Sequence, residues 1–123
     1  MPRNKVDVPF FSGGASLVFP DQEPDIVHKP DVVAPGVQVW SSIPPEKRPE
    51  GTYSYTYMDG TSMATPHVAG VAALLMAAKP DAPVAAIIEV LKETAEHPTG
   101  SRPDNRWGYG MIRPVEALEA LQS

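Results

Sequence analysis

The chain of 123 residues has no cysteine, so disulfide bonds are excluded and cysteine usage indicates no redox compartment. It has no basic cluster, and its formal net charge of −5 argues against a nucleic-acid partner. The longest run without a polar residue, residues 68–78, is too short to cross a bilayer, so no membrane partner is expected. The composition is otherwise that of one small globular domain.

The 15 prolines divide the chain into short elements. Alternation and β-branched or aromatic residues predict strands at residues 6–12, 31–34, 37–42, 53–57 and 108–112. Helical periodicity predicts helices at residues 66–78 and 82–94 and from Pro114 onward. The apolar stripes of the last two are expected at Val84, Ile87, Ile88 and Leu91 and at Val115, Leu118 and Leu121. Strands alternating with helices indicate an α/β fold with some parallel pairing.

The first predicted helix is apolar on every side, so we expect it to be buried. Thr65 suits its N-cap and Pro66 its first position, since proline lacks the N–H that would go unbonded there. Ser62 would then lie just ahead of the helix, where free N–H groups and the helix dipole favour a developing negative charge. Acyl-transfer chemistry needs its serine in such a place.

Ser62 has a second interpretation, because small polar residues before an apolar helix commonly serve as caps. The nucleophile elbow of α/β-hydrolases, Gly-x-Ser-x-Gly, does not match, since Ala64 stands at its last position. The wider segment favours another family. GTSMATPHVAG at residues 60–70 resembles the nucleophile segment of the subtilisin-like serine proteases, or subtilases. KPDVVAPG at residues 29–36 and WGYGMI at residues 107–112 resemble two further subtilase segments, in the same order.

The resemblance implies the C-terminal portion of a subtilisin-like fold, with short, partly parallel strands, a central buried helix and two further helices. Carried over by position, Ser62 resembles the attacking serine, and its own N–H would be one oxyanion donor. Thr61 would flank the oxyanion hole, and Met63 would lie beside the serine as an oxidisable side chain. The resemblance gives His67 no catalytic role, and we expect a buried, hydrogen-bonded histidine there. Glycine is unfavourable inside a helix, so Gly70 is expected to face another backbone closely.

The partners of such a serine are missing from this chain. Subtilases carry the triad aspartate and histidine, and the oxyanion asparagine, upstream of the serine. None of His28, His67 and His97 is followed by glycine, as the histidine motif requires, and Asn4 and Asn105 do not match the asparagine's context. We therefore expect residues 1–123 to be a C-terminal fragment of a subtilisin-like peptidase domain.

Two functions from different classes follow. The first is part of a serine endopeptidase, whose partners are a peptide or protein substrate and the missing N-terminal part of the domain. The second is a catalytically silent module that associates with a partner or with itself.

No cofactor is predicted for this chain. The acidic loop at residues 19–29, with Asp21, Glu23 and Asp25, leaves calcium unassigned, since hard cations need several converging oxygens. The resemblance implies a secreted or extracellular parent protein. The N-terminus shows no signal peptide, so the location stays unassigned.

Overall fold

A computed structural model describes residues 14–18, 25–44 and 54–123. These residues form four strands, β1 (Gly14–Val18), β2 (Asp25–Lys29), β3 (Val39–Ser42) and β4 (Tyr55–Met58). Three helices follow, α1 (Thr61–Ala78), α2 (Val84–Glu93) and α3 (Pro114–Gln122). The three predicted helices are confirmed, while the strand predicted at residues 6–12 lies outside the described residues.

The named strands form two separate antiparallel pairs. In the first, Gly14 pairs with Lys29 and Val18 with Asp25. Residues 25–29 were predicted to be part of a polar loop, and that prediction was wrong. In DIVHK the only apolar residues are adjacent, so the segment lacks the alternation that identifies a half-buried strand.

The second pair, β3 and β4, carries an aromatic cluster. Trp40 lies directly opposite Tyr57, and their ring centroids are 4.7 Å apart. The Tyr55 ring also stacks on Trp40, with 5.9 Å between the ring centroids. All three rings are more than half exposed, so they pack chiefly on one another.

Parallel pairing among the described residues is confined to one bridge, between Val33 and Met111. The Val33 N–H donates to the Gly110 carbonyl at 2.9 Å, and the Ile112 N–H donates to the Val33 carbonyl at 3.1 Å. Met111 also pairs with Glu96, in the antiparallel sense. The predicted strand at residues 108–112 is thus only a point of bridging between three segments of the chain.

The core lies where α1, α2 and α3 meet, around Leu75, whose exposed fraction is 2%. Its buried neighbours from the other helices and the bridging segment are Ile87, Val90, Leu91, Ile112, Ala117 and Leu121. The predicted stripes were partly wrong, because Val84, Ile88 and Val115 are exposed. Val90 and Ala117 take their places, so each helix is rotated from the orientation that its larger side chains indicated.

Helix α1 is covered along one face only, which corrects the expectation that it is buried all round. Leu75 is its only buried residue, and Val68, Val71 and Ala72 are half-buried beside it. Leu74, which is 69% exposed, and Met76, which is 52% exposed, lie on the two flanks of the covered face. We call the uncovered part of the helix between these two flanks the outer face of α1. A side chain built on Gly70 would meet nothing within 4 Å, so no backbone described here passes close to that glycine.

By length and composition alone, α1 could cross a membrane, because it begins earlier than predicted and spans 18 residues. The core helix of a soluble protein passes the same test.

The two adjacent leucines of α1 make a matched test of this one-sided packing. We expect Leu75→Ala to lower the free energy of unfolding by about 2–5 kcal/mol, because it opens a cavity between three helices. Leu74→Ala should change it by less than about 0.5 kcal/mol, since its side chain is exposed. Urea unfolding, at concentrations where light scattering shows a monomer, measures both. Equal losses would show that the outer face of α1 is covered.

Candidate active site

The first turn of α1 carries Ser62, the predicted nucleophile, together with Thr61 and Met63, which were predicted to flank it. The helix begins at Thr61 rather than at Pro66, so Ser62 is its second residue and does not precede it. Gly60 is the N-cap, with φ of 151°, and no side chain caps the helix. The Thr65 hydroxyl, predicted to cap, instead donates to the Thr61 carbonyl at 3.0 Å.

Pro66 lies inside α1 and not at its start. A proline has no N–H to donate to the carbonyl four residues earlier, which here belongs to Ser62. The backbone bond that would tie Ser62 to the next turn is therefore missing. Thr61 and Ser62 are exposed and Met63 is half-buried.

His67 is exposed, so the expectation of a buried histidine was wrong. Its Nδ1–H donates to the Met63 carbonyl at 2.8 Å, one helical turn back. This bond holds the ring over the surface of α1, where the side chain is open to solvent. The hydrogen bond predicted for this side chain is present.

A second turn of the chain packs against the start of α1. The Gly60 N–H donates to the Gly36 carbonyl at 2.7 Å. A Cβ on Gly36 would lie 2.7 Å from the Gly60 carbonyl oxygen and 3.3 Å from the Cβ of Ala64, so only glycine allows this approach. The Gln38 N–H donates to the Asp59 side chain at 2.5 Å, which joins the two turns a second time.

Ser62 lines a groove of about 380 Å³ between α1 and the β3–β4 pair. From α1 the groove is lined by Ser62, Met63, Pro66 and His67, and from the strands by Val39, Thr56 and Met58, among others. An exposed hydroxyl at the start of a helix thus adjoins a groove that is lined by residues of three elements, α1, β3 and β4.

The family can now be stated from comparison with known proteins. The model of the Subtilase family matches residues 4–110. The chain belongs to the subtilase family.

Individual subtilases agree with this assignment. The chain is 39% identical over 97 residues to bacillopeptidase F of Bacillus subtilis, covering 76% of this chain and 6% of that protein. It is 44% identical over 87 residues to M-protease of Shouchella clausii, covering 71% of this chain and 20% of that protein. Its structure resembles that of fervidolysin from Fervidobacterium pennivorans, a keratinolytic enzyme related to subtilisin. The TM-score is 0.66 with 31% identity, over 85% of this chain and 18% of the other.

The chain therefore spans a fifth or less of the length of these relatives. The likeness confirms the predicted fold class, a portion of a subtilisin-like α/β fold. The functional roles of Thr61, Ser62 and Met63 stay predictions.

This subtilase segment also holds a histidine–carboxylate pair that the sequence analysis missed. His97 Nε2–H donates to Asp104 Oδ2 at 2.9 Å, and the His97 side chain is 1% exposed. Its other ring nitrogen, Nδ1, accepts from the N–H groups of Thr99 at 3.1 Å and Gly100 at 3.2 Å. Because both ring nitrogens are bonded, His97 has no free lone pair to accept a proton from a serine.

The pair adjoins a second cavity, of about 500 Å³, whose lining shares no residue with the groove at Ser62. Arg102 crosses this region and donates to the carbonyls of Ala95 at 2.7 Å and Glu93 at 3.1 Å. A cation at the last carbonyl of α2 and at the carbonyl just beyond the helix complements the negative end of the helix dipole. The polar side chains at this cavity therefore have a structural explanation, since their hydrogen bonds stabilise the loop after α2. Among the described residues no three His, Cys, Asp or Glu side chains are grouped as metal ligands would be.

The Asp104 carboxylate accepts hydrogen bonds from three residues of this region. Burial would raise the pKa of Asp104, but the N–H groups of Trp107 and Arg106 and the side chain of His97 outweigh it, so the pKa lies below the ordinary 3.8. A carboxyl group whose pKa is lowered by folding stabilises the folded state above its unfolded pKa. That contribution is lost as the pH falls through the folded pKa.

We therefore expect Asp104→Asn to lower the melting temperature at neutral pH, because the charge-assisted bonds to His97, Arg106 and Trp107 weaken. The difference from the wild type should begin to narrow as the pH falls below about 4, near the unfolded pKa of aspartate, and should narrow further as the pH falls through the lowered folded pKa. Thermal unfolding followed by circular dichroism across this range measures both. Asp81→Asn, at an exposed position, is the control. A difference that is independent of pH would contradict this account.

Proposed function

We propose that this chain is the C-terminal part of a subtilisin-like serine endopeptidase domain and supplies its nucleophile, Ser62. The observation that supports this most is the position of the hydroxyl. Ser62 is exposed in the first turn of α1 and lines the groove between α1 and the β3–β4 pair, within the segment that matches the subtilases. The reaction is hydrolysis of a peptide bond by acyl transfer.

In this reaction the Ser62 Oγ attacks the peptide carbonyl and a tetrahedral oxyanion forms. The first N–H groups of an α-helix have no acceptor within the helix, and they lie at the positive end of its dipole. The Met63 N–H is not available to the oxyanion, since it donates to the Gly60 carbonyl at 3.0 Å. The Ser62 N–H is the oxyanion donor that we assign, with Thr61 beside it. Met63 adjoins the serine, where its oxidation would introduce a polar group at the site.

The proton of Ser62 needs a base, and the described histidine side chains, His67 and His97, are both engaged elsewhere. His97 is bonded through both nitrogens, and His67 points its Nδ1–H at the Met63 carbonyl from five residues beyond the serine. We assign the base, its orienting aspartate and the oxyanion asparagine to the remainder of the protease domain. That remainder is also the partner that we propose for the outer face of α1, where Leu74 and Met76 are exposed.

A catalytically silent module is the second candidate, and one observation favours it. The outer face of α1 is exposed and apolar, and a second copy of the chain is an alternative partner for it that requires no upstream segment. The two candidates differ in what happens to Ser62 when the rest of a protease domain is supplied.

A graft tests the first candidate. The segment of M-protease that matches this chain is replaced by the corresponding residues of this chain, and the graft is assayed for peptide hydrolysis and for labelling by a serine-reactive phosphonate. We expect both, and we expect Ser62→Ala to lower hydrolysis by roughly a thousandfold or more, because the nucleophile is lost. The isolated chain should hydrolyse peptides no faster than its Ser62→Ala variant.

Two results would contradict the proposal. The first is a graft that unfolds cooperatively, like its Ser62→Ala control, yet is not labelled by the phosphonate. That result would favour the silent module. The second is Ser62-dependent turnover by the isolated chain, which would show that a base is present within it.

We also expect the isolated chain to self-associate through the outer face of α1. Leu74→Lys should lower the mass measured by light scattering during size exclusion, because a charge in an apolar contact costs more than the contact gains. Gln122→Lys adds the same charge at the exposed end of α3 and serves as the control. A wild-type chain that is monomeric at every concentration would contradict this expectation.

A further inference from the structure

Two turns of the chain are joined at the point where the chain enters α1. One turn contains Gly36 and Gln38, and the other contains Asp59 and Gly60. Two hydrogen bonds connect them, from the Gly60 N–H to the Gly36 carbonyl and from the Gln38 N–H to the Asp59 carboxylate. The first bond joins two backbone groups, whereas the second has a side-chain acceptor, the Asp59 carboxylate. The two residues of the second bond are 21 positions apart in the sequence.

The backbone of Gln38 indicates that this bond fixes the shape of its turn. Its φ is 51°, and it is the only non-glycine residue with positive φ in the described part of the chain. Residues with a Cβ rarely adopt this conformation without a contact that stabilises it. The Asp59 carboxylate supplies such a contact, since it accepts from the N–H of Gln38 itself.

We propose that Asp59 is a positioning residue for Ser62. Its carboxylate holds the Gly36–Gln38 turn against the Asp59–Gly60 turn and thereby fixes the entry of the chain into α1. This inference rests on the proposed function, because it concerns the geometry of the same nucleophile. Asp59 is exposed, and it is not among the residues that line the groove at Ser62.

The joined turns lie directly beside the first turn of α1. Gly60 is the N-cap, and Ser62 follows two residues later. A Cβ built on Gly36 would lie 3.3 Å from the Cβ of Ala64. The helix itself constrains this turn less than usual, because Pro66 leaves the Ser62 carbonyl without its backbone donor. A shift of about 1 Å at a reacting group can cost up to a hundredfold in rate.

The carboxylate also brings a negative charge to the N-terminus of α1, which the helix dipole favours. Two substitutions separate this charge from the hydrogen bond. Asp59→Asn keeps an oxygen acceptor for the Gln38 N–H and removes the charge, whereas Asp59→Ala removes both. If the hydrogen bond positions Ser62, Asp59→Asn should behave like the wild type in the measurements below, and Asp59→Ala should not.

The first measurement uses the chain itself and does not depend on catalysis. Amide hydrogen exchange at Gln38 and Gly60 is followed by NMR in the wild type, Asp59→Asn and Asp59→Ala. We expect exchange in Asp59→Ala to be faster by about tenfold or more at both amides, because a hydrogen bond to a charged group is lost. Amides within α2 should be unaffected, and Asp59→Asn should stay close to the wild type.

The second measurement uses the M-protease graft. Asp59→Ala should lower kcat roughly tenfold or more with little change in KM, while Asp59→Asn retains most of the wild-type kcat. Gln38→Gly should then restore part of the loss in the Asp59→Ala background, because glycine adopts positive φ without support. The same Gln38→Gly change in the wild type should have little effect, so the two positions are coupled.

Three results would overturn the positioning role. They are unchanged exchange at Gln38 and Gly60 in Asp59→Ala, an unchanged kcat in the Asp59→Ala graft, and an Asp59→Asn variant as impaired as Asp59→Ala. The last would assign the effect to charge. A wild-type graft that folds but does not label at Ser62 would instead overturn the proposed function. The exchange measurement would still decide whether Asp59 holds the two turns together.

Discussion

The packing of one face of α1 against α2 and α3 is the constraint on which the rest of the chain depends. Leu75 lies at its centre, and the buried residues of both later helices gather around it. At the other end of the helix, the turn at Gly36 meets Gly60. The chain thus uses one face for stability and one end for presenting Ser62, and the face opposite Leu75 is uncovered among the described residues. A helix apolar on every side is suited to a larger assembly than this chain alone provides.

The sequence predicted the number and order of the helices but not the start of α1. Proline is favoured at the first position of a helix, so Pro66 indicated that α1 begins there. In the structure α1 begins five residues earlier, at Thr61. The backbone of Gly60, which no sequence pattern reports, allows the earlier entry. The stripes of α2 and α3 were misplaced for a related reason. Large side chains indicated the buried face, whereas the close approach of α3 buries the small Ala117 and leaves Val115 exposed.

The candidate site was predictable where its residues are adjacent in sequence. Thr61, Ser62 and Met63 belong to one segment with a recognisable pattern, and the structure has them in one helical turn. The contacts around that segment join residues far apart in sequence. Asp59 bonds to Gln38, and His97 is fixed by Asp104 within a loop that has no periodicity. Such partners depend on tertiary packing, which spacing along the chain does not encode.

Pro66 gives α1 two mechanically distinct parts. The part after it is tied to the other helices by side-chain packing around Leu75, and the turn before it is tied to the Gly36 turn by hydrogen bonds. The missing bond at the Ser62 carbonyl loosens the backbone connection between these parts. We therefore expect substitutions in the core around Leu75 to displace the Ser62 hydroxyl only slightly. The residues that pack the core and the residues that hold the turn at Ser62 are thus separate groups, and we expect substitutions in one group to leave the other largely unchanged.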